Sequence, residues 1–222
     1  MGITLSTSIT PELAEETGWH IGDGSMNIYN KDGGRKGFYQ LRGHIEDDKN
    51  HYQERIKPMF KRLYNIDISL RTMPKTRVFG FQLWNNDLVN FKQKLGLPLG
   101  KKFDIVIPKI FLKKEIIKIS VLRGIFDTDG GIYLEPKNNK LYPISYITTI
   151  SENLSQQIYT ILQELNIPST ITSHIDKRRN REKSYRVNIR GSNNCSKFME
   201  IIRPANVKFI NKYQKFLNSK SL

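Results

Sequence analysis

ELAEETGWHIGDGS, residues 12–25, and ISVLRGIFDTDGG, residues 119–131, decide how this chain is read. Each is a helix-like run ending in a small residue, Asp and Gly. Asp23 and Asp129 are separated by close to half of the 222 residues. Two periods are too few for a solenoid, and they suit a pseudo-dimer made by duplication. The plainest reading of each segment is a helix stop, because Gly just past the last helical residue is an ordinary terminator. A calcium loop starting at Asp127-x-Asp129-Gly130 is excluded: its twelfth position is Asn138, where a bidentate Glu is required, and its Gly is misplaced. The spacing of small residues goes beyond a stop signal. Gly18 and Gly22, and likewise Gly124 and Thr128, stand four apart, on one helix face where two backbones can approach closely. The second helix is apolar nearly all round (Ile119, Val121, Leu122, Ile125, Phe126), the pattern of a buried helix. Packed side by side across a pseudo-twofold, the two helices bring Asp23 and Asp129 together at their C-terminal ends. Close carboxylates repel unless a cation lies between them, and carboxylates with carbonyl oxygens are hard ligands that suit Mg²⁺.

The elements following each segment agree with a duplication. In the first half, residues 25–31 alternate as a strand, KDGGRKG (31–37) is a hairpin turn, and residues 38–44 form a second strand. A helix over 47–65 carries the stripe Ile56, Met59, Phe60 and Leu63. Strands over 66–71 and 77–84 and a helix over 86–95 close the unit. The second half repeats the order, with a helix over 113–127, strands at 132–135 and 143–150 around PKNNK, and a helix over 151–165. Strands at 170–175 and 184–190 follow, then helices over 194–202 and 207–217. The expected fold is α+β: two pseudo-symmetric αββαββα half-domains forming a saddle of antiparallel sheets around the central motif helices. The chain divides into residues 1–100, a linker at 101–112 and residues 113–222, with the Gly- and Pro-rich GLPLGKKFDIVIP (96–108) at the joint.

Charge narrows the function. Thirty-six Lys and Arg against 21 Asp and Glu leave +15, which argues against a neutral-surfaced enzyme of small metabolites and toward a polyanion, nucleic acid being the commonest. The single Cys195 excludes an internal disulfide framework and a Cys-rich zinc site. No apolar run is long enough to span a membrane, and no basic-then-apolar leader is present. The expectation is a soluble, reduced, cytoplasmic protein, or an organellar one in a eukaryote. An acidic metal site in a basic chain is what phosphodiester hydrolysis requires.

GWHIGDG (18–24) and LRGIFDTDG (122–130) resemble the two signature motifs of the LAGLIDADG homing endonucleases in their single-chain form. Leu122, Gly124, Ile125, Asp127, Asp129 and Gly130 carry the closer match, and Ile-Gly-Asp-Gly in the first motif is similar to archaeal and intein-type versions. GLPLGKK (96–102) followed by Ile107-Pro108 resembles the family's inter-motif joint. The resemblance implies that Asp23 and Asp129 bind the metal, Mg²⁺ with Mn²⁺ able to substitute, together with the carbonyls of Gly22 and Thr128. It implies that Gln40 and Lys102, or the neighbouring Lys101, act in catalysis, with Lys208 in the similar place after the second half. Asp127 reads as a structural cap, because Ile21 stands at the matching position of the first motif. His20 reads as a packing or interhelical hydrogen-bonding residue.

A DNA-binding surface follows from the polar strand faces Ser25/Asn27/Tyr29/Lys31, Gln40/Arg42/His44, Asp67/Ser69/Arg71 and Ser184/Arg186/Asn188/Arg190. Twisted antiparallel sheets can present such faces to a major groove, where Arg, Asn and Gln pair with base edges. Any half-solvated sheet has a polar outer face, but these are rich in Arg, Asn and Gln and poor in Glu. The hairpin tips Arg35/Lys36 and Lys177/Arg178/Arg179 are expected on phosphates, with Arg77 at the same surface. The expected function is a monomeric, Mg²⁺-dependent, site-specific double-strand DNA endonuclease. An RNA-binding intron maturase on the same fold and a DNA-binding regulator with a dead nuclease site are the alternatives.

Overall fold

The structure, a computed structural model, describes residues 3–31, 33–137, 140–175 and 183–219. Helix α1 (Pro11–Gly22) starts at Thr10, whose hydroxyl accepts the Leu13 N–H at 3.1 Å, with Pro11 at the first helical position, where its missing N–H costs nothing. Helix α5 (Glu115–Asp129) has the same place in the second half. The two helices lie side by side. A Cβ on Gly18 would fall 2.8 Å from the Gly124 Cα, and one on Gly124 2.9 Å from the Gly18 Cα, so the seam admits only hydrogen at both positions. Glu15 of α1 ties the halves further, accepting Arg55 at 2.8 Å and Arg123 of α5 at 3.2 Å.

After α1 come β1 (Gly24–Lys31) and β2 (Gly34–His44), then α2 (Lys49–His51), which runs through a π-helical stretch (Tyr52–Ile56) into α3 (Lys57–Tyr64). Residues 47–65 were expected as one regular helix, and Pro58 explains the difference. Proline has no N–H to return to the Glu54 carbonyl, and the Lys57 N–H reaches back five residues to the Tyr52 carbonyl instead. Strands β3 (Arg71–Met73) and β4 (Val78–Trp84) and helix α4 (Asn86–Lys94) complete the half. The expected strand over 66–71 is displaced to β3, which shares only Arg71 with it. Residues 66–70 keep the alternation, with Ile68 buried, but have no strand beside them.

In the second half, β5 (Gly130–Lys137), β6 (Lys140–Thr149), α6 (Glu152–Glu164), β7 (Thr170–His174), β8 (Ser184–Arg190), α7 (Ser192–Ile202) and α8 (Val207–Ser219) follow α5. Asn138 and Asn139 of the expected turn lie outside the described residues. Among the described residues the strands form two antiparallel four-stranded sheets with matching orders, β1-β2-β4-β3 and β5-β6-β8-β7. The inner face of the first sheet (Met26, Tyr39, Leu41, Phe79, Phe81) packs with Phe60 and Tyr64, and that of the second (Ile132, Ile147, Val187, Ile189) with Ile158 and Phe198. The outer faces remain for a ligand. No helix among the described residues is long and apolar enough to cross a membrane.

Candidate active site and nucleic-acid interface

The chemistry gathers where α1 and α5 end. Asp23 caps the C-terminus of α1, and Asp129 is the last residue of α5. The close seam keeps these ends together: a Cβ on Gly22 would stand 3.3 Å from the Asp129 Cγ. Burial, then the charges of Asp129 and Asp48, push the Asp23 carboxyl well above the usual carboxylate range, with Lys102 and Lys208 opposing. Burial pushes Asp129 up to about 6 against the same two lysines.

Two clefts open here, related by the pseudo-twofold. One, of about 280 Å³, is lined by Asp129 with Gly22 and Lys102. The other, wider, is lined by Asp23 with Thr128, Lys208 and Asp48. Each cleft therefore pairs the acid of one motif with the small residue of the other and adds one lysine. The lysines are held differently. Lys102 donates to the main-chain carbonyls of His20, Ile21 and Gly22 at 3.1, 2.8 and 2.6 Å, closing the C-terminus of α1. Burial lowers its pKa while Asp129 and Asp23 raise it. Lys208, expected at the surface or in this place, donates to Asp48 at 2.6 Å with its side chain 22 % exposed.

Asp48 was not expected in the site. It fell inside the helix expected over 47–65, and only the fold shows its carboxylate turned to Lys208. Asp127 is buried and accepts the N–H groups of Ala205 (2.9 Å) and Asn206 (3.0 Å). It therefore pins the α7–α8 joint to α5, and burial holds its carboxyl at about 7. His20 stacks on Tyr39 with ring centroids 5.4 Å apart, and neither ring nitrogen has a hydrogen-bond partner among the described residues. It packs and makes no interhelical hydrogen bond.

The donor set fits a divalent cation. Two partly desolvated carboxyl groups resist ionisation together, and the negative ends of two helices point at the same place. No cluster of three or more His, Cys, Asp or Glu side chains suited to a metal occurs among the described residues. A cation here would therefore rely on the two carboxylates and on main-chain oxygens. The Gly22 carbonyl, expected as one of these, already accepts Lys102, which leaves its second lone pair.

Gln40 is occupied elsewhere. Its amide donates to Ser25 Oγ at 2.7 Å and accepts from Gln82 at 3.0 Å, and Gln82 in turn accepts from Arg71. Ser25, Gln40, Gln82 and Arg71 make one polar row across β1, β2, β4 and β3. Arg42, His44 and Arg77 border the Asp23 cleft. Asn27 accepts the Ile28 N–H. Tyr29 and Trp84, each almost half exposed, meet Phe38 in an aromatic cluster on the same face. Arg35 is exposed and Lys36 half-buried at the β1–β2 tip. On the second sheet Arg186 and Arg190 are exposed, and the Arg186 guanidinium sits 4.4 Å from the Tyr146 ring centre. Asn188 is largely buried, its amide donated to Thr172 Oγ1 at 3.1 Å, at the floor of a groove lined also by Thr148, Arg186 and Arg190. Lys177, Arg178 and Arg179 lie outside the described residues.

Comparison with known proteins bears on the fold. A family profile described as a LAGLIDADG-like domain matches residues 117–203. No curated protein sequence matches the chain. Among solved structures, the homing endonuclease I-DmoI in complex with DNA and Ca is 18 % identical with a TM-score of 0.61, over 87 % of this chain and 90 % of that one. The LAGLIDADG homing endonuclease I-GzeII in complex with its DNA target is 16 % identical with a TM-score of 0.61, over 96 % and 92 %. A variant of I-DmoI with its target DNA and Mg is 17 % identical with a TM-score of 0.60, over 89 % and 98 %. Residues 117–203 thus match a LAGLIDADG-like domain, and the chain as a whole shares the two-domain fold of the LAGLIDADG homing endonucleases of known structure.

Proposed function

We propose that the chain is a site-specific double-strand DNA endonuclease of the homing type, hydrolysing phosphodiesters with a divalent cation. One observation carries the reading: two pseudo-symmetric clefts, each with an Asp, a helix end and a lysine, stand between two basic sheet faces. One cleft per strand is what a double-strand cut needs. Asp23 and Asp129 would hold the cation, Mg²⁺ with Mn²⁺ able to substitute, with help from the Gly22 and Thr128 carbonyls. When bound, such an ion supplies Lewis-acid stabilisation of a phosphate and activates water. Lys102 and Lys208 place ammonium groups beside the developing negative charge. The sheet faces orient the duplex over the two clefts. Residues 1–100 and 113–222, joined by the linker 101–112, would each take one half-site, giving a monomer on an asymmetric site of roughly 14–24 base pairs at ~3.4 Å per step. The named structures are described in complex with DNA, which favours DNA over intron RNA.

The test is selection from a randomised duplex library, then incubation of the selected site with Mg²⁺. Both strands cut at one position, with EDTA abolishing cutting, is the expected result. Selected duplexes that are bound but never cut would leave a DNA-binding regulator in its place.

A further inference from the structure

The first half carries Asp48 where the second half carries Ser151. Both follow the second strand of their sheet and stand at the N-cap of the next helix. Ser151 behaves as a cap should, its hydroxyl accepting the Leu154 N–H at 3.1 Å and donating to the Ile105 carbonyl at 2.7 Å. Asp48 makes no such capping bond. Its buried carboxylate turns instead across the junction of the halves. One oxygen accepts Lys208 Nζ at 2.6 Å and Asn206 Nδ2 at 2.8 Å, and the other accepts the His44 N–H at 2.7 Å. The Asn206 side chain in turn accepts the Lys208 N–H at 3.2 Å. A buried acid that gives up its own helix to hold a lysine from the other half is a costly arrangement unless the lysine's position matters. Lys102 needs no such device, because the main-chain carbonyls of α1 hold it.

We propose that Asp48 is a positioning residue that fixes Lys208 in the Asp23 cleft, so that one strand of the duplex depends on Asp48 for its cutting and the other does not. The inference rests on the endonuclease reading above and adds that its two clefts are built unequally. Asp48 touches neither the reacting phosphate nor the attacking water in this account; it acts through Lys208.

The experiment compares wild type, Asp48→Ser (the second half's own residue), Asp48→Glu and Lys208→Met on a supercoiled plasmid carrying a duplex the wild type has selected. Strand-resolved rates are expected to show Asp48→Ser slowing one strand by about tenfold or more, the scale of losing one oriented group, while the other strand keeps its rate and nicked circles accumulate. Lys208→Met should slow the same strand, and Asp48→Glu should partly restore it. A second measurement uses neither metal nor DNA. Pulse acylation read by mass spectrometry should find Lys208 protected in wild type and several-fold more reactive in Asp48→Ser, with Lys102 unchanged. Equal slowing of both strands means a merely structural role and overturns the proposal. So does loss of all cutting by a folded Asp48→Ser, which would put Asp48 in the metal site, or an unchanged acylation rate at Lys208. A wild type that cuts neither strand sinks the endonuclease reading and the strand effect with it, while the acylation result still decides whether Asp48 holds Lys208.

Discussion

Asp129 is a carboxylic acid placed where its charge is unwelcome until a cation arrives. Its folded pKa of about 6 lies above the ordinary 3.8. Between those values the unfolded chain has lost the proton that the folded chain keeps, so stability falls as pH rises through that window. Above it the penalty is complete, on the order of 2–3 kcal/mol at most for a shift of this size. Asp129→Asn should therefore raise the Tm of the metal-free protein at pH 8 and leave it little changed near pH 4. Wild type should gain Tm on adding Mg²⁺ at pH 8, and the variant should not; calorimetry at the two pH values checks both. Activity has the opposite sign. Carboxylates must be ionised to hold a cation, so cutting should rise with pH through about 6. Asp23→Asn and Asp129→Asn should each remove cutting while retaining specific DNA binding, since neither side chain lies on the polar rows of the sheets. Full cutting by either variant would refute the metal-site assignment.

The packed pair of α1 and α5 depends on the absence of two side chains. A Cβ on Gly18 or Gly124 would meet main-chain atoms of the opposite helix, which cannot rotate away. Gly18→Ala or Gly124→Ala should cost several kcal/mol, at or above the usual ~1–3 kcal/mol of overpacking, because backbone rather than side chain has to move. Gly34→Ala is the control: it has open space around it and should leave the urea midpoint almost unchanged. Equal midpoints for all of these variants would mean the seam is not where the structure puts it. The π-helical stretch at Tyr52–Ile56 shows the same economy. One proline is absorbed by a wider turn, and Tyr52, Ile56 and Phe60 still reach the core.

Across the whole molecule, charge and asymmetry set how a duplex is met. With +15 overall, binding should weaken steeply with salt as phosphates release counterions. The two sheets share a strand order but not an outer face. The first carries the row Ser25–Gln40–Gln82–Arg71, and the second carries Arg186 over Tyr146 with Asn188 and Arg190 in one groove. The two half-sites should therefore differ in sequence. Arg186→Ala or Arg190→Ala should relax the preference at one or two base pairs of a single half-site, by ~1–3 kcal/mol per lost contact. Lys177→Ala should instead weaken all sequences alike and shallow the salt slope by about one. Selection profiles and salt titrations separate the two outcomes, and a palindromic preferred site would contradict the arrangement.

The amino-acid sequence by itself determined the duplication, the order of elements and the two acids. These rest on local signals: periodicity, Gly and Pro punctuation, and small residues four apart on a helix. Helix α4 and strand β8 were legible almost to the residue for that reason, and the Gly18/Gly124 contact was legible because close helix approach requires small side chains whatever the partner. Only the tertiary structure decided what depends on residues far apart in the chain. The alternation at 66–70 read as a strand because burial alternates there, but a strand also needs a neighbour to bond. Asn188 read as a base reader because its parity is outward, and only the fold shows its amide tied to Thr172 in a groove with Arg186 and Arg190. Asp48 fell inside the helix expected over 47–65 with no role of its own, because its partner Lys208 stands 160 residues away. Periodicity specifies which face a side chain takes. Which groups then meet across the pseudo-twofold is set by how the two halves dock, and that has no local signature in the chain.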